Sequence, residues 1–406
     1  MSSHLIPSRR GRPGNDPIFA LSKAASDRKA AGHDVVNATL GVLLDDDGKL
    51  VVLDTAIRAL REVPSDLLSS YAPIVGPPAF LAAVKAEVTE GAPDMRARAV
   101  AVATPGGTGA IRHAMTTLLE DGQALLTTSF YWSPYQTIAA EHGRKVETFP
   151  MFDDKGGFNV AGLDAALGAQ VEKQGRALLI LNDPCHNPTG YSMSEEDWRG
   201  VSAALAKHAS KGAVSILMDI AYAAFSEGSL ARPIAALSSI ADKIMVGFCW
   251  SASKTFLEYG QRVGALVLIP PSKDDVPDLE AALAFSCRGV WSNCNHAGMT
   301  AMTRLLVDPE MRPAVDAERK KAVALLDARV HAWNEAARPL GLRYPRYDGG
   351  FFVTVDSPDA QRHAAALRDK GMFVVPLGST LRVALCSVAT RDVPRLAKAI
   401  ADVLAT

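Results

Sequence analysis

Long hydrophobic runs and an excess of charge of one sign are both missing from this chain of 406 residues. No apolar stretch approaches the roughly 20 residues that a membrane-spanning helix needs, so we expect no membrane segment. Lys and Arg together number 43, against 44 for Asp and Glu. A nucleic-acid-binding protein normally carries a strong basic excess, and this balance therefore argues against a nucleic-acid partner.

Cysteines are few and scattered, and none forms a C-x-x-C pair: they are Cys185, Cys249, Cys287, Cys294 and Cys386. An odd number of dispersed thiols is typical of a reducing cytoplasm and not of a disulfide-stabilised secreted protein. No histidines and cysteines cluster at zinc spacing, so we expect no metal site. The first 14 residues include three arginines but no apolar segment follows them, which indicates a polar arm and not an export signal.

The chain does contain an alternation of helical and strand-like segments from about residue 78 onward. The strand-like segments are short, uninterrupted apolar runs at 123–128, 177–182, 214–219, 244–249 and 264–269. Helical patterns cover 78–92, 160–175, 194–212 and 317–337. Apolar strands between helices indicate an α/β protein with a parallel or mixed sheet that is buried on both faces.

The last part of the chain has a different pattern. Segments 349–356, 361–371, 372–378 and 381–386 read as strand, helix, strand and strand. This pattern predicts a separate α+β module. A chain of this length and composition can bury one large core and a second smaller one.

Polar side chains follow three consecutive predicted strands. Asn187 lies just after the strand 177–182, Asp219 ends the next strand and precedes Tyr222, and Lys254 follows the strand 244–249. Ligands bind beyond the carboxyl ends of strands in open α/β sheets, so we expect these side chains at one sheet edge. Taken singly, each also fits a structural role, Asp219 as a helix cap, Asn187 in a turn and Tyr222 in the core.

The segment 104-TPGGTGAIRHAM-115 places Gly107 and Thr108 at the start of an apolar helix. Backbone N–H groups at the positive end of a helix dipole form a site for phosphate. The segment does not fit G-x-G-x-x-G, because Arg112 stands at the third glycine position, and it lacks the Walker lysine. Alone it indicates either an anion site or a tight turn.

One chemistry uses all of these residues. A lysine amine that forms a Schiff base with a pyridoxal aldehyde needs a carboxylate against the pyridine nitrogen. It also needs phosphate ligands and hydrogen bonds to the phenolic oxygen of the ring. The chain offers all four roles: Lys254, Asp219, the turn at Gly107 and Thr108 with Ser251 and Arg262, and the pair Asn187 and Tyr222.

With these residues the chain resembles the class I, fold-type I pyridoxal phosphate aminotransferases, in particular the aspartate/aromatic subgroup. The likeness runs from about residue 16 to 386, and it is most specific in 186-HNPTG-190, 219-DIAYAAF-225 and 251-SASKTFLEYGQRVG-264. It implies a large domain on a mostly parallel seven-stranded sheet flanked by helices, with a smaller α+β domain formed by the N- and C-terminal segments. The implied bounds are 1–14 for the arm, 50–318 for the large domain, and 15–49 with 319–406 for the small domain.

The resemblance also implies roles around pyridoxal 5'-phosphate. Lys254 matches the Schiff-base lysine that moves the substrate proton, and Asp219 matches the partner of the ring nitrogen. Asn187 and Tyr222 match the hydrogen-bond donors to the phenolic oxygen. The remaining matches are phosphate contacts at Gly107, Thr108, Ser251 and Arg262, ring stacking by Trp132, and Tyr71 reaching the phosphate of a neighbouring subunit. The last match implies a homodimer with shared sites.

For the substrate, Arg382 resembles the arginine that binds the α-carboxylate, and Gly41 matches the mobile segment that closes over it. Trp132 and Asn187 are also implied substrate contacts. Arg288, in 288-RGVWSNCNH-296, stands where an arginine from the other subunit binds the distal carboxylate of aspartate or glutamate. Cys294 and Asn295 replace two family prolines there, and Val290 replaces a polar residue. Two interpretations of Arg288 therefore remain, a substrate contact or an interface salt bridge.

The leading hypothesis is a transaminase that exchanges an amino group between an L-amino acid and a 2-oxo acid such as 2-oxoglutarate, by a ping-pong mechanism. Aspartate, glutamate or an aromatic amino acid is the expected donor. The same cofactor site would also serve a β-lyase, a decarboxylase or a cyclopropane-forming synthase. A ligand-sensing domain of a regulator is a third alternative, although the N-terminal arm is too short for a winged-helix module.

Overall fold

The structure is a computed structural model that describes residues 4–12, 14, 17–226 and 230–406. The chain divides into two compact units. The large unit comprises Leu50–Asp327 and Pro345–Phe352, and the small unit comprises Met1–Lys49, Ala328–Tyr344 and Val353–Thr406. Residues 1–3 and 13 of the predicted N-terminal arm, and residues 15 and 16 after it, lie outside the described residues.

A seven-stranded sheet forms the centre of the large unit. Its strands lie in the order Val100–Pro105, Val263–Ile269, Met245–Ser251, Ala213–Asp219, Arg176–Asn182, Ala124–Thr128 and Lys145–Phe149. The strand Val263–Ile269 runs antiparallel to both of its neighbours, and the other pairs are parallel. The predicted fold class, an α/β protein on a mostly parallel seven-stranded sheet, is confirmed.

The five predicted strands are the ones that the sheet buries most completely. Every residue of Val263–Ile269 is buried, as are all but the first residue of Arg176–Asn182. Two further strands were not among the predicted runs. Lys145–Phe149 lies at a sheet edge and buries only Phe149, so it has no continuous apolar run. Val100–Pro105 is made of small residues that fit a helix as well as a strand.

Helices flank this sheet, and helix Gly106–Leu118 and helix Val276–Arg288 contribute to the core that lies against it. The other helices of the large unit are Asp54–Arg61, Ser65–Ser69, Pro78–Val88, Pro93–Arg96, Pro134–Glu141, Val160–Gln174, Glu195–Ala209, Ala231–Ser238, Ala252–Thr255 and His296–Val307. Helix Met311–Ala337 begins in the large unit and ends in the small unit. Across the described ranges, no helix is both long and apolar enough to cross a membrane.

Two helical predictions differ from the structure at their ends. The predicted helix 78–92 ends at Val88. The predicted helix 317–337 begins earlier, at Met311, because the Asp308 side chain accepts hydrogen bonds from the backbone N–H groups of Glu310 (2.8 Å) and Met311 (3.0 Å). An aspartate in this arrangement starts a new helix, which is why Met311–Ala337 forms separately.

The small unit contains two short sheets. Val36–Asn37 pairs in parallel with Met372–Phe373, and a three-stranded sheet has the order Val375–Leu377, Thr380–Ala384 and Phe352–Asp356. The predicted strand 372–378 is therefore two strands, because its two halves pair with different partners. Helices Pro17–Ala30, Ala360–Asp369 and Val393–Leu404 complete the unit.

A fully buried arginine connects three segments of the small unit. Arg329 has no exposed surface. Its guanidinium donates to the backbone oxygens of Leu44 (2.7 Å) and Cys386 (2.7 Å) and to Asp46 Oδ1 (2.9 Å). Asp46 Oδ1 also accepts a hydrogen bond from the backbone N–H of Thr390 at 2.9 Å. A single side chain thus holds the N-terminal segment and the C-terminal segment on the helix that ends at Ala337.

Candidate active site

The carboxyl ends of three parallel strands lie side by side in the large unit. Asn182 pairs with Asp219, and Asp219 pairs with Cys249 in the next strand. The residues at and beyond these ends line one cavity of about 150 Å³. Its lining comprises Gly107, Thr108, Ile111, Trp132, Asn182, Asn187, Asp219, Ala221, Tyr222, Ser251, Ser253, Lys254 and Arg262. Nine of the residues singled out in the sequence are therefore brought together.

One end of the cavity is suited to an anion. Helix Gly106–Leu118 begins there, and Gly106 has a φ of +68°. A Cβ atom on Gly106 would lie 2.7 Å from Nη2 of Arg262, so a glycine is required for this guanidinium to approach the helix terminus. Gly107, Thr108 and Ser251 line the cavity beside that charge. Backbone N–H groups at a helix N-terminus together with a planar guanidinium form a site for a dianion such as phosphate.

Lys254 lies on a single turn of helix, Ala252–Thr255, directly after the strand Met245–Ser251. The Ser251 hydroxyl caps this turn by accepting a hydrogen bond from the N–H of Ser253 at 3.2 Å. The Lys254 amine lies 5.8 Å from the ring centre of Tyr222 and 5.3 Å from that of Tyr259. The amine thus lies in the cavity close to two aromatic rings.

Asp219 is a buried carboxylate that lines the cavity at the end of the strand Ala213–Asp219. Burial raises the pKa of Asp219, while the hydrogen bond from Tyr135 and the charge of Lys254 act in the opposite direction. The Tyr135 hydroxyl donates to Asp219 Oδ2 at 2.6 Å, and the N–H of Ala221 donates to Oδ1 at 3.3 Å. The carboxylate is thus desolvated, and a cationic hydrogen-bond donor placed in the cavity would stabilise its charge.

Two further residues organise this site, and neither was singled out in the sequence. Asn182 donates to the backbone oxygen of Asp219 at 2.8 Å and accepts from the N–H of Asn187 at 2.6 Å. It is the polar last residue of a buried strand, so the rule that located Asp219 also applies to it. Tyr135 lies 84 positions before Asp219, and no local pattern links the two.

Asn187 and Tyr222 are joined directly. The side-chain N–H of Asn187 donates to the Tyr222 hydroxyl at 3.2 Å, and both side chains are buried. The Tyr222 ring packs edge-on against Phe351 at a centroid distance of 5.3 Å. These contacts give the two polar groups a fixed geometry at the cavity wall.

Of the predicted residues not yet described, Trp132 lies in the cavity, and Tyr71 and Arg288 lie outside it. Trp132 lines the cavity and packs edge-on against the Tyr135 ring at 5.7 Å. Tyr71 is 90 % exposed, and Arg288 is also exposed and donates to the Ser292 hydroxyl at 2.9 Å. Neither is among the cavity-lining residues.

Gly41 and Arg382 belong to the small unit. Arg382 is 8 % exposed and donates to the backbone oxygen of Thr39 at 2.7 Å. The Cys386 thiol donates to the backbone oxygen of Leu40, the residue before Gly41, at 3.5 Å. The segment that contains Gly41 is therefore bonded to the strand that carries Arg382 and to the residues that follow it.

We expect the protein to lose stability in mild acid, because two of its histidines are buried in the neutral form. Burial lowers the pKa of His186 to about 3, and burial together with the charge of Arg112 lowers the pKa of His113 to about 4. The unfolded chain protonates its histidines near pH 6.5, so below that pH it binds more protons than the folded chain. The free energy of unfolding should therefore fall as the pH is lowered from 6.5 to 4.

Urea unfolding between pH 7 and 4.5 measures this slope. Each of His113→Gln and His186→Gln should reduce the slope by up to about 1.4 kcal/mol per pH unit. His33→Gln, at an exposed histidine, serves as the control and should leave it unchanged. Equal slopes in all three variants would contradict the assignment.

Comparison with known proteins agrees with this geometry. The family model described as "Aminotransferase class I and II" matches residues 33–400. The chain is 31 % identical to an aromatic-amino-acid aminotransferase of Pseudomonas aeruginosa, over 97 % of each chain. Among solved structures, an aminotransferase from Anaerococcus prevotii is 31 % identical with a TM-score of 0.92, over 99 % of each chain. An aromatic-amino-acid aminotransferase from Burkholderia pseudomallei, covalently bound to pyridoxal phosphate, is 26 % identical with a TM-score of 0.81, over 98 % of this chain and 100 % of the other.

The cavity residues fit pyridoxal phosphate. The desolvated carboxylate of Asp219 suits a protonated ring nitrogen, and the cradle that Gly106 leaves open beside Arg262 suits a phosphate group. The amine of Lys254 lines the same cavity. Pyridoxal phosphate is the cofactor, and amino acids and 2-oxo acids are the substrates. The chain belongs to the class I and II aminotransferases and is a pyridoxal phosphate-dependent transaminase.

Proposed function

We propose that the cavity residues hold pyridoxal phosphate in the roles that their positions allow. Lys254 forms the covalent link, and Asp219 accepts a hydrogen bond from the ring nitrogen. Asn187 and Tyr222 bond the phenolic oxygen, and Trp132 covers a face of the ring. The phosphate contacts are Gly107, Thr108, Ser251 and Arg262. The observation that carries this proposal is that all nine residues line one cavity.

When bound, the cofactor supplies an electron sink for the carbanion at the substrate Cα. The chain supplies the proton transfer and the orientation. In this proposal the Nζ atom of Lys254 takes the proton from the substrate Cα and carries it through the 1,3-shift that amino transfer requires. The Asp219 carboxylate holds the proton on the ring nitrogen.

For the substrate, we assign the α-carboxylate to Arg382 and closure over it to the segment of Gly41. A planar guanidinium binds a carboxylate through two parallel hydrogen bonds. The proposed reaction is a ping-pong exchange between an L-amino acid and a 2-oxo acid such as 2-oxoglutarate. The name of the Pseudomonas aeruginosa relative supports an aromatic amino acid, and the position of Arg288 supports aspartate or glutamate.

A panel of half-reactions tests this function. The loaded enzyme is mixed with aspartate, glutamate, phenylalanine, tyrosine or alanine, and the change in visible absorbance is followed. We expect saturable conversion with at least one dicarboxylic or aromatic donor. A lyase would instead give no amino transfer with any donor, and it would release pyruvate and ammonia from added cysteine, which carries a leaving group at Cβ, without an oxo-acid acceptor.

The same panel tests Arg288. If its guanidinium binds a distal carboxylate, Arg288→Ala should raise KM for aspartate and glutamate by about 10- to 100-fold, because a charge-assisted hydrogen bond contributes about 1.5–3 kcal/mol. Phenylalanine and tyrosine have no distal carboxylate and should be unaffected. Arg199→Ala, at another exposed arginine, is the control. Equal losses for all donors would assign Arg288 to the interface.

We further propose a cytoplasmic homodimer with shared sites, in which the domains are the arm 1–14, the large domain 50–318 and the small domain 15–49 with 319–406. Tyr71 is 90 % exposed and Phe285 is 85 % exposed, and aromatic side chains are enriched at protein–protein interfaces. Asn293 accepts a hydrogen bond from the N–H of Ala72 at 2.8 Å, so the segments of Tyr71 and Arg288 are held together. All five cysteines are buried free thiols, which supports the cytoplasm.

Complementation tests the shared sites. If Tyr71 serves the neighbouring subunit, a mixed dimer of Tyr71→Ala and Lys254→Ala chains has one site with both defects and one intact site. Random mixing of the two inactive chains should then restore about a quarter of the wild-type activity. Mixing two preparations of Lys254→Ala is the control. No recovery above the separate variants would contradict a contribution of Tyr71 across the interface.

A further inference from the structure

A buried phenol contacts the carboxylate that we assign to the ring nitrogen. Tyr135 lies on helix Pro134–Glu141 and is 1 % exposed. Its hydroxyl donates to Asp219 Oδ2 at 2.6 Å, a short distance for an O–H···O hydrogen bond. A phenol in this position has a fixed role, because the carboxylate can only accept and the hydroxyl must donate.

The two oxygens of Asp219 are not equivalent. Oδ2 accepts the short hydrogen bond from Tyr135, whereas Oδ1 accepts only a longer one, 3.3 Å, from the N–H of Ala221. Asp219 lines the cavity, and Asn182 holds its backbone oxygen at 2.8 Å. The carboxylate is therefore held at both its backbone and its side chain, and Oδ1, whose one hydrogen bond is long, is the oxygen with the greater capacity for a donor in the cavity.

The ring of Tyr135 makes a second contact with the site. Trp132 packs against it edge-on, at a centroid distance of 5.7 Å and an interplanar angle of 87°. On another side, Tyr131 stacks on the same ring at 6.2 Å and 12°. One buried side chain thus touches both Asp219 and Trp132, the residues assigned to the nitrogen and to the face of the cofactor ring.

We propose that Tyr135 is a positioning residue for the cofactor, which orients the Asp219 carboxylate through its hydroxyl and supports Trp132 through its ring. This inference rests on the proposed role of Asp219. Because the phenol donates to Oδ2, it withdraws charge from the carboxylate and makes it a weaker base. A weaker base leaves the shared proton on the ring nitrogen, where it is needed.

The surroundings of Tyr135 and Asp219 keep the phenol of Tyr135 protonated. Burial, and then the charge of Asp219, raise the pKa of Tyr135 well above its usual value, so the phenol keeps its proton. Lys254, Cys249, Tyr222 and the stacked Tyr131 are the other titratable groups described near Asp219 and Tyr135, and burial raises the pKa of the Cys249 thiol as well. Lys254 is thus the only one of these groups whose charged form favours the carboxylate.

Nitrogen NMR of the loaded protein tests the inference. Cofactor labelled with ¹⁵N at the ring nitrogen is bound to the wild type and to Tyr135→Phe, Tyr191→Phe and Asp219→Asn. Tyr191 is the matched control, because its hydroxyl also donates to a carboxylate, Asp197 Oδ2 at 2.9 Å, but outside the cavity. In parallel, difference infrared spectroscopy of the cofactor-free proteins measures the pKa of Asp219.

Tyr135→Phe should move the ring-nitrogen signal toward that of an unprotonated pyridine, and it should raise the pKa of Asp219 by about one unit. Tyr191→Phe should change neither. As a second variant that keeps the ring and the hydroxyl, Tyr135→3-chlorotyrosine carries a more acidic phenol and should shift both readouts in the opposite direction.

The outcomes separate this inference from the function on which it rests. If Asp219→Asn moves the ring-nitrogen signal but neither Tyr135 variant does, the role of Tyr135 is overturned and that of Asp219 stands. If Asp219→Asn leaves the signal unchanged, the assignment of Asp219 fails, and the role of Tyr135 fails with it. Equal shifts of the ring-nitrogen signal in Tyr135→Phe and Tyr191→Phe would show that the effect comes from a general loss of packing. This result would also overturn the inference.

Discussion

Lys254→Ala should abolish amino transfer, with kcat/KM lower by at least about 10,000-fold, because the variant loses both the covalent link and the proton carrier. The measurement is the half-reaction with the best amino-acid donor. In the wild type, reduction with borohydride and peptide mass spectrometry should place the cofactor on the peptide that contains Lys254. The variant should still bind the cofactor, since Arg262 and the turn at Gly107 are retained.

Two further variants separate the possible causes. Lys254→Arg keeps a cation in the cavity but has no amine that can form the link, so it should be as inactive as Lys254→Ala. Lys85→Ala removes a lysine of the same unit that donates to the backbone oxygen of Ala99 at 3.4 Å and does not line the cavity. It should retain nearly full activity. Activity above a few per cent in Lys254→Ala would contradict the assignment.

Arg329→Met should lower the free energy of unfolding by about 3–5 kcal/mol. Methionine fills the space of the aliphatic stem, but the oxygens of Leu44 and Cys386 and the carboxylate of Asp46 lose their buried donor. The midpoint of urea unfolding, followed by circular dichroism, measures the change. Because every partner of this guanidinium lies in the small unit, the loss should begin there, with early exposure of that unit to proteolysis.

Arg395→Met is the matched control for this prediction. Arg395 is also an arginine of the small unit in an ion pair, with Asp34, but both side chains are exposed to solvent. Exposed ion pairs contribute little, so its unfolding midpoint should stay close to that of the wild type. Similar midpoints for Arg329→Met and the wild type would show that the buried hydrogen bonds are replaced without cost.

The sequence could reveal the parts of the site that follow from local patterns of apolar and polar residues. Apolar runs such as 177–182 locate buried strands, and polar residues at their ends, such as Asp219, meet at one edge because parallel neighbours end together. The strand Lys145–Phe149 gave no such signal, since an edge strand is only partly buried. The predicted helix 317–337 starts earlier than its pattern indicates, at Met311, because one side chain, Asp308, accepts a hydrogen bond from the N–H of Met311.

Tyr135 and Arg329 show what the sequence could not provide. Arg329 belongs to the charged pattern of 317–337, and its burial depends on carbonyl oxygens that are 57 and 285 positions away. Tyr135 reads as one of several aromatics in 131–135, and its function depends on a carboxylate 84 positions later. Both roles come from long-range packing, which local pattern does not encode.

The antiparallel strand of the sheet has a consequence for how the cofactor is retained. Ser251 pairs with Gly264 across the hairpin formed by Met245–Ser251 and Val263–Ile269, so the connection 252–262 leaves and re-enters the sheet at one point. That connection carries both Lys254 and Arg262, the proposed covalent anchor and the proposed counter-charge. The cofactor would therefore act as a crosslink within a single supersecondary element. Amide hydrogen exchange in both strands of this hairpin should slow together when the enzyme is loaded, and losing the cofactor should loosen the hairpin before the rest of the sheet.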